Sequence, residues 1–467
     1  MITARAFAGK HYAVYGLARS GIATVEALLA SGARVTAWDA KLAPSPQRGE
    51  GRGEGVPGSS ELSTAEHPHP ALSLQGEGFE IADLDTADLT QFDSLVVTPG
   101  LPLNRHPIAQ RAREAGVEII GDIELFARAR PELPPHKVVG ITGTNGKSTT
   151  TALVHHILRT AGVPAAMGGN IGLPILAQDP LPEGGVYVLE LSSYQIDLTQ
   201  SLDCDVAALL NITPDHLDRY ESFEAYAASK YRLFEMQSGD HVAVARVQEW
   251  FPSATLPGAV TRNNAGFSEL YDDAFHYWQG EPGAISVYEQ SNWPSLQGPH
   301  NFENASAAMS TCYLLGLDGH QIREGLRTYP GLPHRMERVR EKDGVLFVND
   351  SKATNPTAAA PALAAFPSIR WILGGQAKTD NLDECAPHFA HVRSAYTIGE
   401  AGELFAKLLA PHMPVANCET LENAVNQAAK DSQPGDTVLL SPACASFDQF
   451  RDFEQRGDRF KDLVGAL

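Results

Sequence analysis

The sequence predicts an α/β protein of three domains: N-terminal Rossmann-like, central P-loop ATPase-type on a mostly parallel sheet, and C-terminal Rossmann-like. Short apolar runs alternate with helical stretches along most of the chain, the pattern left by βαβ units in parallel sheets. Two Pro-rich breaks, Pro131-Glu-Leu-Pro-Pro-His136 and Tyr329-Pro-Gly-Leu-Pro-His334, divide that alternation into three. At about 150 residues per domain, 467 residues suffice for three. The expected boundaries are 1–130, 131–330 and 331–467.

The first domain opens with a strand at His11–Gly16, a helix from about Ser20 to Ala30, Gly32 as its stop, and a strand at Arg34–Asp39. Further strands read at Ser94–Gly100 and Val117–Gly121. Between them, Leu42 to Gly78 is rich in Gly, Pro, Ser, Glu and Gln and repeats Gly-Glu-Gly three times. Such a segment buries too little apolar surface to offset its ordering entropy and reads as a disordered insertion. In the central domain, strands read at Lys137–Thr142, Val186–Glu190, Val206–Asn211 and His241–Ala245. In the third they read at Val345–Asn349, Trp371–Gly374, Ala395–Ile398 and Thr437–Leu440.

Composition narrows the function. With 43% hydrophobic and 20% charged residues the chain has material for packed cores. Asp+Glu 56 against Lys+Arg 36 leaves a net charge of −20, which repels polyanions and argues against nucleic-acid binding. Small anions remain possible ligands, since a few backbone amides and one Lys can hold a phosphate. Five scattered Cys without a C-x-x-C pair suit reduced thiols. The first ten residues lack a signal peptide's apolar core, and no apolar run reaches about 18 residues. The expectation is a cytoplasmic, monomeric protein without membrane insertion.

The strongest chemical signal is Gly140-Ile-Thr-Gly143-Thr-Asn-Gly146-Lys147-Ser148-Thr149-Thr150, directly after an apolar strand and before a helical run. Its backbone N–H groups and helix N-terminus suit an anion, Lys147 suits β/γ-phosphates and Ser148 suits Mg²⁺. The first glycine of the usual G-x-x-x-x-G-K-[ST] pattern falls on Ile141. Glu190 ends the next strand, where a carboxylate could reach a metal beside the loop. His216, in Asn211-Ile-Thr-Pro-Asp-His-Leu-Asp-Arg-Tyr220, is on spacing alone an ordinary polar residue, and Lys230 an ordinary solvated lysine on an amphipathic helix. Gly16-Leu-Ala-Arg-Ser-Gly21 with Asp39 is similar to a dinucleotide fingerprint, although Ala18 replaces the middle glycine.

Taken together with Gly168-Gly-Asn-Ile-Gly172, Glu190-Leu-Ser-Ser193, His300-Asn-Phe-Glu-Asn304, Leu332-Pro-His-Arg335, Asn349-Asp-Ser-Lys-Ala-Thr354 and Leu440-Ser-Pro-Ala-Cys-Ala-Ser446, these motifs resemble the Mur ligase family. These ATP-dependent amide ligases build the peptidoglycan stem peptide. Ser441–Phe450 and Phe453-Glu-Gln-Arg-Gly457 resemble its D-glutamate-adding branch, and the Asp-Asn-Pro-Arg motif of the diaminopimelate-adding branch is not found. A folylpolyglutamate-type ligase shares the central ATPase but lacks a uridine-binding first domain. A catalytically idle nucleotide binder would be expected to lose Lys147, Glu190, His216 or Lys230, and the sequence keeps all four.

The resemblance implies ligation of D-glutamate to UDP-N-acetylmuramoyl-L-alanine through an acyl phosphate, with ATP, two Mg²⁺ and a CO₂-derived carbamate on Lys230. It implies catalytic roles for Lys147, His216, Lys230 and Lys352. ATP would meet Gly143, Thr144, Asn145, Gly146, Lys147, Ser148 and Thr149, together with Asn301, Asn304, Arg335, Asp350, Lys352 and Thr354. The UDP-sugar would meet Arg19, Ser20, Asp39, Thr98 and Asn170; glutamate would meet Lys378, Ser446, Phe447 and Phe453. The metal would fall to Ser148, Glu190, His216 and carbamylated Lys230. Uridine contacts are where this chain varies most from the family, with Ala18 in the turn and Ala40-Lys41 after Asp39.

Overall fold

The computed structural model describes residues 1–39, 78–215, 218–245 and 287–467. The expected insertion, apart from Gly78, and His216 lie outside the described residues. The chain divides into two compact units, Met1–Asn145 with Val163–Phe267, and Gly146–Gly162 with Ser268–Leu467.

The first unit holds two five-stranded sheets. One comprises β1 (His11–Tyr15), β2 (Arg34–Trp38), β3 (Phe79–Ile81), β4 (Ser94–Val97) and β5 (Glu118–Ile120), all parallel, in the order β3-β2-β1-β4-β5. Helix α1 (Arg19–Ala30) crosses from β1 to β2 and α2 (Pro107–Glu114) from β4 to β5, while α3 (Asp122–Ala129) follows β5. Strand order reverses between β1 and β4, and ligands of open α/β sheets bind beyond the carboxyl ends of strands at such a point. Gly16 and Thr98 lie there.

The second sheet comprises β6 (His136–Thr142), β7 (Ala165–Gly169), β8 (Gly185–Glu190), β9 (Val206–Leu209) and β10 (Val242–Ala245), again parallel, in the order β10-β9-β6-β8-β7. Helix α4 (Lys147–Thr160), between β6 and β7 in the chain, belongs to the other unit; α5 (Ser193–Asp197) and α6 (Phe223–Glu235) belong to this one. β8 is buried at all six residues, as a central strand covered on both faces must be. The two sheets share one core, in which Val25, Val35 and Phe126 join Tyr187, Leu189 and Leu233. The N-terminal segment secures it: Ile2 is fully buried and its N–H donates to Leu176 O at 3.0 Å.

The second unit combines α4 with α7 (Pro299–Leu314) and α8 (Gly319–Thr328) and a six-stranded sheet. Its strands are β11 (Glu337–Lys342), β12 (Val345–Asn349), β13 (Ile369–Gly374), β14 (Val392–Ile398), β15 (Val415–Glu419) and β16 (Thr437–Leu440), ordered β11-β12-β16-β13-β14-β15. Only β11 runs antiparallel to its neighbour. Helices α9 (Pro356–Ala364), α10 (Gly402–Leu409), α11 (Leu421–Asp431) and α12 (Phe453–Ala466) complete it. All twelve strands expected from the sequence are present. Four more, β3, β7, β11 and β15, were not expected, and each is a sheet edge.

Candidate active site

In the first unit, the turn after β1 is drawn tight by small residues. Gly16 has φ 96°, and a Cβ there would collide with the Thr98 side chain, so that position requires glycine. Asp39 accepts from the Leu17 N–H at 2.7 Å and locks the turn to the end of β2. Ala18 is thereby accommodated without a second glycine. Arg19, exposed at the first turn of α1, donates to Gly172 O at 3.4 Å, and Ser20 O accepts from Thr24 Oγ1 at 2.8 Å.

At the carboxyl ends of β7 and β8, Asn170 Nδ2 donates to Glu190 Oε1 at 3.0 Å and Asn170 N to Glu190 O at 2.9 Å. Glu190 is 2% exposed and its Oε2 has no hydrogen-bond partner among the described residues, an acceptor placed where a cation would satisfy it. The loop after β6 is pinned by β9: Thr144 N donates to Asn211 O and Asn145 N to Asn211 Oδ1, both at 2.9 Å. Tyr226 OH meets Thr144 Oγ1 at 3.0 Å. Lys230 corrects the expectation of a solvated lysine. It is 1% exposed, its Nζ lies 4.6 Å from the centre of the Tyr226 ring, and it donates to Gly143 O at 3.0 Å. The periodicity of α6 carries it inward beside the phosphate loop.

In the second unit, Gly146 precedes α4 with φ 86°, a left-handed residue that turns the chain into the helix. Lys147, Ser148 and Thr149 form its half-buried first turn, where the N–H groups of a helix start and the helix dipole favour an anion. Arg335 Nη2 lies 3.5 Å from Ser148 Oγ, and Thr150 Oγ1 reaches Asn304 Oδ1 at 3.4 Å. Asn304 in turn donates to Asn301 Oδ1 at 3.3 Å. His300, one position earlier on α7, is kept neutral by burial, which pushes it down to about 4, and its Nδ1 has no partner among the described residues.

At the end of β12, Asp350 accepts from Ser441 Oγ at 2.8 Å and from Met336 N at 3.2 Å. Lys352 Nζ stands 5.0 Å from the centre of the Phe453 ring. Lys378 Nζ donates to Thr354 Oγ1 at 3.4 Å, bringing together residues expected on glutamate and on ATP. Ser446 is buried at the turn after β16, whereas its neighbour Phe447 is 68% exposed.

The Mur ligase middle domain matches residues 141–312, and the Mur ligase glutamate ligase domain matches 334–444. A protein of Novosphingobium aromaticivorans named UDP-N-acetylmuramoylalanine--D-glutamate ligase is 58% identical over 467 residues, covering all of this chain and 97% of that one. The chain belongs to the Mur ligase family. A Rhizobium meliloti protein of the same name is 42% identical, covering all of this Mur ligase and 98% of its own length. Among solved structures, MurF ligase from Thermotoga maritima in complex with ADP matches with a TM-score of 0.52 at 16% identity, over 98% of this chain and 96% of that one. That likeness concerns the fold.

Sequence reasoning missed several residues that hold the candidate site together. Asn211 clamps the loop after β6, and Asn349 Nδ2 joins His334 Nδ1, Glu337 Oε2 and Gly457 O at 3.0, 2.9 and 3.3 Å. Arg456, 1% exposed, bonds Ser351, Cys444 and Ala445. Each is a polar residue whose partners are far away in sequence, and no local spacing announces it.

Burial also pushes the Asp350 carboxyl up to about 7, against the downward pull of Ser441, Met336 N and Arg335. The folded protein then holds a proton that the unfolded chain releases near its ordinary value. Its contribution to stability is complete below about pH 4 and lost as pH rises through about 7. Thermal melting between pH 4 and 8 should show a smaller decline with pH in Asp350→Asn than in the parent protein. Equal declines would discard the protonated-acid reading.

Proposed function

We propose that this Mur ligase joins D-glutamate to UDP-N-acetylmuramoyl-L-alanine, with ATP converted to ADP and phosphate, in peptidoglycan precursor synthesis. The observation that carries it is the 58% identity to a ligase of that name along the full length of both chains, amino-acid domain included.

Chemically, a carboxylate is a poor acyl donor. The alanyl carboxylate therefore attacks the γ-phosphorus of ATP, forming an acyl phosphate and releasing ADP. The glutamate amine then adds to that carbonyl, loses a proton, and expels phosphate to leave an amide. The first step brings two anions together. Lys147 and the first turn of α4 supply positive potential for the phosphates, and Gly143, Thr144, Asn145, Gly146, Ser148 and Thr149 shape the cradle. Asn301, Asn304, Arg335, Asp350, Lys352 and Thr354 would surround the rest of the nucleotide.

Ser148, Glu190, His216 and carbamylated Lys230 would hold Mg²⁺, expected as two ions, and the orphaned Glu190 Oε2 supports this set. When bound, Mg²⁺ supplies charge neutralisation between carboxylate and phosphate. The Lys230 carbamate forms as its amine adds to CO₂ and gives up a proton, turning a cation into an oxygen donor. Arg19, Ser20, Asp39, Thr98 and Asn170 would hold the sugar nucleotide. Lys378 and Ser446 would pair with glutamate carboxylates, with Phe447 and Phe453 as walls.

We also take the protein to be cytoplasmic and monomeric, acting on small molecules. Its five free cysteines support a reducing compartment, and no described helix is long and apolar enough to cross a membrane.

The test measures phosphate release from ATP, MgCl₂ and UDP-N-acetylmuramoyl-L-alanine with D-glutamate, L-glutamate or other amino acids. Turnover is expected with D-glutamate. Release with none of them, or with L-glutamate alone, refutes the assignment.

A further inference from the structure

Two loops of the first unit carry residues proposed for different ligands. The loop after β4 begins at Thr98, on the sugar-nucleotide side. The segment after β9 contains His216, proposed above as a metal ligand, between Asp215 and Asp218 in sequence. Each loop reaches the backbone of the other. Arg219 donates from Nη2 to Leu101 O at 2.9 Å and Pro99 O at 3.4 Å, and from Nη1 to Gly100 O at 3.2 Å. In return, Arg105 Nη2 and Asn104 Nδ2 donate to Asp218 O at 2.7 and 3.1 Å.

The guanidinium is held from a third side. It lies 4.4 Å from the centre of the Tyr194 ring, and that ring is stacked on Tyr220 with 11° between their planes. Tyr220 OH donates to Asp197 Oδ2 at 2.8 Å. Tyr194 and Asp197 both belong to α5, the helix that follows the Glu190 strand. A planar fork with several fixed donors suits this task, because it can bond successive carbonyls while stacking on an aromatic face.

We propose that Arg219, with Arg105, is a positioning residue that settles the metal-side and sugar-nucleotide loops together, making the binding of Mg²⁺ and of the UDP-sugar cooperative. The inference rests on the ligand roles proposed above for Thr98 and His216. Such coupling is reciprocal: whatever Mg²⁺ does to sugar-nucleotide affinity, the sugar nucleotide does to Mg²⁺ affinity.

The experiment is calorimetric titration of the full chain with UDP-N-acetylmuramoyl-L-alanine, with and without MgCl₂ and without ATP. Any association of Mg²⁺ with the free ligand is the same for every variant, so differences report the protein. In the parent chain, Mg²⁺ is expected to tighten binding about tenfold. Arg219→Met and Arg219→Lys should cut that effect below about twofold, the lysine keeping the charge but losing the fork. Arg105→Ala, which breaks the strap from its other end, should move in the same direction, and keeps the test open should Arg219→Met fold poorly. An unchanged Mg²⁺ effect in the arginine variants, or none in the parent chain, overturns the proposal. His216→Ala separates the two readings: a normal Mg²⁺ effect in that variant overturns the metal assignment itself.

Discussion

Lys230→Ala is expected to lower D-glutamate-dependent phosphate release about 10²- to 10³-fold, the scale of removing one preplaced electrostatic group. Added formate or acetate should restore a measurable part. The side chain is 1% exposed and its Nζ reaches Gly143 O, so it stands at the base of the phosphate loop rather than on a solvated face. Truncation to alanine leaves room there for a small carboxylate, which replaces the oxygen donors of a carbamate but not the positive charge of an ammonium. The two chemistries therefore give opposite rescue patterns. Recovery with short amines and none with carboxylates would show that Lys230 acts as a cation. A fully active alanine variant would remove it from the mechanism.

The second large effect is structural. Arg456→Met should destabilise the second unit by roughly 3 kcal/mol or more, the cost of stranding buried acceptors. That corresponds to a fall of about 6–12 °C in melting temperature. Arg456 donates to Ser351 Oγ and O at 3.0 and 2.9 Å, to Cys444 O at 3.0 Å and to Ala445 O at 3.3 Å. Burial lowers its guanidinium to about 10, which still leaves it protonated near neutral pH. These acceptors lie on the turns bearing Lys352 and Ser446, so KM for D-glutamate should rise along with the loss of stability. A methionine variant that melts like the parent chain would rule out this role.

What the sequence disclosed about the fold follows from burial. Interior strands such as Val186–Glu190 and Thr437–Leu440 are covered on both faces and read as continuous apolar runs. The four unexpected strands are edges with a different character. β11 is Glu-Arg-Val-Arg-Glu-Lys, β7 is Ala-Ala-Met-Gly-Gly, β3 has three residues, and every residue of β15 is at least partly exposed. Strand propensity reports packing on a half-buried surface, and at an edge much of that surface is missing.

The site divides along similar lines. Lys147 and Ser148 could be read directly because the phosphate site proposed there needs only a strand, a turn and a helix start within a dozen residues. The bond from Asn170 to Glu190 spans twenty residues and a crossover, and the burial of Lys230 depends on what α6 packs against. Neither is encoded in a local pattern. The roles proposed for them came from resemblance, and their geometry from the fold.

The order β11-β12-β16-β13-β14-β15 bears on how the chain matures as it is synthesised. β12 and β13 do not pair with each other; both pair with β16, which comes after every other strand of that sheet in the chain. While β16 is still within the ribosome, the two halves lack the strip that joins them and expose the backbone edges it will cover. This unit therefore stays open until translation has passed Leu440, by which time every strand of the first unit has long been available to pair. A nascent chain halted before Thr437 should be protease-sensitive beyond Glu337 and protected within the strands of the first unit.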